Sequence, residues 1–215
     1  MTVQSDPHAA QSRWGVILAA VGAGIIGAAH IGKVPAALPG IRAELGLDLV
    51  AAGWVVSVYS ATGMTLGMLI GLFADRIGHR ALAVAGVALM GVGSALGALS
   101  DGAPLLLATR FLEGLGFVTA VVTAPSLIAR AAGPRQRKFA FGLWGSFMST
   151  GLGTMLLLSP LILALWGWRG AWQVMAAASF AWAVFMGVAL RNFAPPSAST
   201  AARSGLPEFM AVKAP

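Results

Sequence analysis

The sequence predicts an all-α integral membrane fold, a bundle of six transmembrane helices, and three observations carry that expectation. Of the 215 residues, 58% are hydrophobic and 10% charged, whereas a soluble globular chain carries about 25% charged residues to cover its surface. The apolar residues fall into uninterrupted runs about as long as a bilayer crossing, and the Lys and Arg residues are partitioned between the loops.

Six runs are separated by charge or turn signals: about 14 to 38, 51 to 74, 80 to 99, 104 to 129, 139 to 166 and 171 to 190. None alternates strictly in the way a barrel strand does. Backbone groups in lipid must be satisfied within the segment, so runs of this length have to be helices. The expected organisation is a tail over 1–13, a six-helix domain over 14–191, and a flexible tail or start of a linker over 192–215. That last segment shifts to Pro195, Pro196, Ser197, Ser199 and Thr200. A three-plus-three inverted repeat is compatible with this layout.

Orientation follows from the 14 Lys and Arg residues. Arg13, Arg76, Arg80, Arg130, Arg135, Arg137, Lys138, Arg191, Arg203 and Lys213 lie on the side of the N-terminus; Arg42 and Arg169 lie opposite, and Lys33 and Arg110 fall inside runs. This bias places both ends in the cytoplasm, in a multi-pass protein of the cell membrane. The formal net charge of +7 sits in short loops rather than on a solvated face, which argues against nucleic acid as a partner. With no cysteine, disulfides, thiolate metal sites and cysteine nucleophiles are excluded. No metal or cofactor is expected, and the partners expected are the lipid bilayer and a small-molecule substrate.

On the second run Gly63, Gly67 and Gly71 form a double G-x-x-x-G, a ridge expected to admit a neighbouring helix closely. Trp14, Trp166, Trp168 and Trp172 fall near the run ends and are expected to form an aromatic belt.

Four ionisable residues lie inside runs: His30 and Lys33 on the first, Arg110 and Glu113 on the fourth. Each pair is spaced i, i+3 and shares a helix face. Counting from the outer run ends, Lys33 and Arg110 lie roughly 8 to 9 Å deep and His30 and Glu113 roughly 13 Å. The pairs are therefore level. Ionisable groups at such depth are costly and are candidates for a substrate site. With imidazole neutral, two positive charges face one negative, which biases the site towards a small anion. Lys33 is expected to be the free cation, with Glu113 partnering Arg110 or His30. The structural alternatives are a snorkelling Lys33, an intrahelical Arg110–Glu113 pair and a packed His30. Pro35 and Pro39 interrupt the outer half of the first run, as a gating kink or as tolerated prolines.

Between the second and third runs the chain reads Gly71-Leu72-Phe73-Ala74-Asp75-Arg76-Ile77-Gly78-His79-Arg80. This stretch resembles the G-x-L-A-D-R-x-G-R-R/K signature of the major facilitator superfamily. Arg110-Phe111-Leu112-Glu113-Gly114-Leu115-Gly116 is similar to that family's R-F-x-x-G-x-G element, and Gly167-Trp168-Arg169-Gly170-Ala171-Trp172 to its G-W-R junction. The resemblance spans about 14 to 190. It implies the N-terminal half of a secondary transporter working by alternating access, completed by a second six-span half or a second copy. It also implies a conformational latch in Gly71, Asp75, Arg76, Gly78 and Arg80, whose partner belongs to the other half. The fifth run lacks the G-x-x-x-G-P-x-x-G-G element of drug/proton antiporters, and Leu143 to Gly151 is loosely closest to the cyanate/nitrate-permease-like branch. Two rivals remain. One is a six-span intramembrane hydrolase, disfavoured because His8 and His79 lie outside the runs and His30 has no evident serine partner. The other is a truncated fragment that does not transport.

Overall fold

The computed structural model describes residues 13–193, and the side chain of Asp75 lies outside what is described. Among the described residues all regular structure is helical: α1 (Trp14–Leu45), α2 (Leu49–Ile77), α3 (His79–Gly97), α4 (Ala103–Ala131), α5 (Arg137–Gly145) and α6 (Phe147–Ala189). The expected tails over 1–13 and 192–215 fall almost wholly outside the described residues.

Local chemistry sets the boundaries. α1 stays helical through Pro35 and Pro39 and ends at Gly46, whose φ of 62° is the left-handed cap conformation glycine favours. Asp48 caps α2, its carboxylate accepting from the Ala51 amide at 2.7 Å. Gly78 (φ 102°) makes the tight link from α2 to α3. Pro104 opens α4, where its missing N–H has no intrahelical partner to lose.

At about 1.5 Å per residue the 43 residues of α6 would reach about 65 Å, twice the hydrocarbon core. They cross twice because the backbone breaks at Gly167 (φ 63°, ψ −170°). Before the break the chain climbs along α1: Gly151 lies against Ile25 and Ala28, and Met155 against Gly32. After it the chain descends: Trp168 Nε1 donates to Glu44 at 2.6 Å, His30 meets Ser179 at 2.9 Å, and Trp182 Nε1 donates to the Ala19 carbonyl at 3.0 Å. The two limbs, with α5, supply the fifth and sixth crossings. Arg13 then reaches the Asn192 carbonyl at 3.3 Å, so both described ends lie on one side.

Gly167 occupies a region of φ/ψ space that essentially only glycine enters. A Cβ there would meet nothing within 4 Å, so Gly167→Ala tests conformational strain alone. It is expected to cost about 1 to 3 kcal/mol, read as a lowered thermal midpoint in detergent with the helical circular dichroism retained.

Packing divides the interior into three layers. An apolar core on the side of the described ends gathers Ile17, Val87, Met90, Leu127, Ile128 and Met186; a second, on the opposite side, gathers Val34, Ile41, Leu106, Met155, Trp168 and Trp172. The polar layer lies between them. α1 packs most extensively on α6, and α3 on α4.

Two expectations about packing are corrected. The G-x-x-x-G ridge on α2 is not a site of close approach, since a Cβ on Gly63 would meet nothing within 4 Å and those on Gly67 and Gly71 only valine methyls at 3.6 and 4.0 Å. Backbone crossings are instead close at Gly86 and Gly116 between α3 and α4, where the built Cβ atoms fall 2.7 and 2.4 Å from opposing carbonyl oxygens, and at Gly151 against α1. Of the four tryptophans expected in an aromatic belt, Trp166 is exposed and Trp14 half-buried, but Trp168 and Trp172 are buried inside the bundle. Both follow the Gly167 break, which swings them inwards.

Candidate functional site

The middle layer is built from five helices. α1 supplies His30 and Lys33, α3 supplies Ser94, α4 supplies Arg110 and Glu113, α2 supplies Tyr59 and the Val55 carbonyl, and the second limb of α6 supplies Trp172 and Ser179. His30, Lys33 and Glu113 are 0% exposed and Arg110 1%. The structure thus brings together all four ionisable residues that the sequence placed at one depth.

Lys33 Nζ donates to Glu113 Oε1 at 2.6 Å, to Ser94 Oγ at 2.8 Å and to His30 Nδ1 at 3.1 Å. All three ammonium protons are used. Because Nδ1 accepts, the network assigns the imidazole proton to Nε2, which donates to Ser179 Oγ at 2.9 Å. Ser94 passes the chain on, donating to the Trp172 carbonyl at 2.8 Å. Arg110 pairs with Glu113 Oε2 and donates to the carbonyls of Val55 at 3.2 Å and His30 at 3.3 Å. Aromatic faces complete the shell, with Lys33 Nζ 4.2 Å from the Trp172 ring centroid and Arg110 4.5 Å from that of Tyr59. The Tyr59 hydroxyl donates to the Gly27 carbonyl at 2.8 Å.

The expectation of Lys33 as a free cation is therefore corrected. The first apolar run, 14 to 38, holds no acid, but Glu113 lies across the bundle within hydrogen-bond reach of Lys33. One carboxylate bridges two cations, and the formal charge of the layer is one positive in excess. One further buried donor is unused by the protein: the indole N–H of Trp172 finds no acceptor among the described residues.

Two other groups of charged contacts flank this layer. On the side away from the described ends, Glu44 accepts from Trp168 Nε1 and pairs with Arg169, which also donates to the Ser100 carbonyl at 2.9 Å. On the side of the ends, Arg80 donates to the Arg191 carbonyl at 2.9 Å at the close of α6. Within the loop expected to act as a latch, Gly71 sits in the last turns of α2 facing Val122, Arg76 is exposed, and Gly78 makes the turn. Asp75, the residue at the centre of that expectation, has its side chain outside the described residues.

The sequence matches the family model of the Major Facilitator Superfamily over residues 14–213. The chain belongs to the major facilitator superfamily. A similar protein is the lincomycin resistance protein of Streptomyces lincolnensis, 32% identical over 159 residues, covering 74% of this chain and 33% of that protein. Others are the methylenomycin A resistance protein of Bacillus subtilis, 28% identical over 142 residues, 66% of this chain and 30% of that protein, and the putative niacin/nicotinamide transporter NiaP of the same organism, 28% identical over 154 residues, 71% of this chain and 38% of that protein. The chain thus spans about a third of the relatives it matches. Among solved structures, a bacterial homologue of the human lysosomal transporter Spinster, inward-facing and unoccupied, superposes with a TM-score of 0.73 at 17% identity, over 94% of this chain and 48% of that one. That likeness concerns the fold, a half of the facilitator bundle. The relatives named here are resistance proteins and a niacin transporter, and they lend no support to the cyanate/nitrate-permease-like branch.

Sequence reasoning missed Ser94, Ser179, Tyr59 and Trp172, and its reading that His30 has no serine partner is corrected, since Nε2 meets Ser179 Oγ at 2.9 Å within the sealed layer. A buried serine or tyrosine carries no cost that marks it in a sequence, and Trp172 at a run end read as an interfacial anchor.

Proposed function

We propose that this chain is one half of a facilitator-type secondary transporter, with its ends in the cytoplasm, and that it moves a small polar, anionic solute by alternating access against a second six-span half. The observation that carries the anion preference is the excess positive charge of the enclosed layer formed by His30, Lys33, Arg110 and Glu113, with the unused Trp172 N–H beside it. Because these side chains are sealed within the half, they bias the solute through their field, which low-dielectric surroundings screen weakly. Direct contacts fall to polar groups on the faces this half leaves open, Ser57 and Ser60 on α2 and Ser149, Thr150 and Thr154 on α6. Asp75, Arg76 and Arg80 serve the loop as a latch towards the other half.

Lys33→Gln tests the reading, since Glu113 keeps Arg110 while the excess charge falls to zero. In an assembled transporter this variant is expected to fold and to lose about tenfold or more in anion affinity, one unit of charge at 1.4 kcal/mol per decade. The measurement is thermal stabilisation in detergent by a panel of small anions and neutral analogues. Unchanged anion binding by Lys33→Gln would sink the anion preference. The names of the resistance relatives favour a second reading, export of a drug-like compound; stabilisation by hydrophobic cations or neutral antibiotics, unaffected by Lys33→Gln, would select it.

A further inference from the structure

From the α4–α5 link into the first turn of α5, residues 134–139 form a continuous exposed run, Pro134-Arg135-Gln136-Arg137-Lys138-Phe139, flanked by Ala132 and Ala140, which are buried. No Asp or Glu occurs anywhere between Glu113 and Glu208, so the three cations have no acid in their own sequence neighbourhood. Setting topology requires only that Lys and Arg lie near span ends on one side, and Arg13, Arg76, Arg80 and Arg191 already do so. The local geometry goes further than that requirement. Arg137, at the start of α5, folds back to donate to the Ala129 carbonyl at 3.0 Å, which ties the first turn of α5 to the end of α4. Beside the cations Phe139 is 62% exposed, and its ring meets that of Trp14 edge-on at 5.9 Å between centroids. A fixed cluster of cations with an aromatic anchor at the same level is the arrangement that holds a phosphate-bearing headgroup while an apolar ring dips into the acyl boundary.

We infer that the link from α4 to α5 and the first turn of α5, through Arg135, Arg137, Lys138 and Phe139, form a docking site for the headgroup of an anionic phospholipid in the leaflet on the side of the described ends. The lipid adds negative charge beside cations whose own sequence neighbourhood holds none. Phe139, edge-on to Trp14 at the start of α1, connects the bound lipid to the helix that carries His30 and Lys33.

The test uses the full chain in nanodiscs of phosphatidylcholine titrated with phosphatidylglycerol, read by thermal midpoint and by retained lipid in native mass spectrometry. The double variant Arg135→Gln, Lys138→Gln leaves the Arg137 bond to Ala129 intact. It is expected to lose about thirtyfold in apparent affinity for phosphatidylglycerol, at about fivefold per cation near an anionic surface. The exchange Arg135→Lys, Lys138→Arg keeps the charge and is expected to keep the affinity, which separates misfolding from lost binding. Arg76→Gln with Arg191→Gln removes equal charge on the same side and is expected to change affinity less than about twofold, because those residues lie outside the cluster. An equal loss in that control would overturn a localised site in favour of diffuse surface charge. Stabilisation by millimolar inorganic phosphate equal to that by the lipid would overturn the membrane as the source.

Discussion

Glu113→Gln is expected to destabilise the chain by about 3 to 5 kcal/mol, the cost of leaving buried charge without its partner. Glu113 is 0% exposed, with one oxygen 2.6 Å from Lys33 Nζ and the other on Arg110. Glutamine offers a single acceptor and turns its NH₂ towards one of the two cations. In a membrane interior the alternative partner, water, is scarce, and a charge at helix centre already costs about 2.5 to 3.5 kcal/mol on insertion scales. Lys33→Met should cost less, because Glu113 retains Arg110 and the methionine fills the stem's volume. The double variant Lys33→Met, Glu113→Gln should recover part of the loss, since one orphaned cation is gone. Denaturant titration of the purified chain in detergent, followed by circular dichroism, gives the order. Equal losses for the two single variants would show that the carboxylate does not hold the layer together.

Much of this layer was legible in the sequence because charge in a membrane is expensive. His30, Lys33, Arg110 and Glu113 stand out against apolar runs, and counting along two helices was enough to place them level. What one-dimensional spacing does not carry is azimuth. The one acid on Lys33's own helix, Glu44, lies about three turns away, so only the rotation of α4 about its axis decides that Glu113 faces Lys33 rather than lipid. The same limit explains the tryptophans: depth placed Trp168 and Trp172 at an interface, but the Gly167 turn points them inwards. The gap between the fifth and sixth runs, 139–166 and 171–190, did mark the reversal, but not the residue that makes it. Gly167 stands among many glycines, and its role as the reversal depends on a φ of 63° that the letter alone does not announce.

Glycine spacing misled for a related reason, and the expected outcome is opposite at two positions. Gly151→Ala places a Cβ 2.1 Å from the Ile25 carbonyl oxygen and 2.7 Å from Ala28 Cβ. The first neighbour is backbone and cannot rotate away, so α1 and the first limb of α6 must separate along the most extensive helix contact in the fold. A loss of about 1 to 3 kcal/mol is expected, the usual cost of overpacking. Gly63→Ala, by contrast, meets nothing within 4 Å although it belongs to the G-x-x-x-G repeat. There the alanine gains helix propensity of up to about 1 kcal/mol and disturbs no contact within this chain, so it should be neutral or stabilising. Parallel unfolding titrations of the two variants decide the matter. Were Gly63→Ala the more damaging of the two, the sequence motif would outweigh the observed packing, and the α2 ridge would have to meet another helix after all.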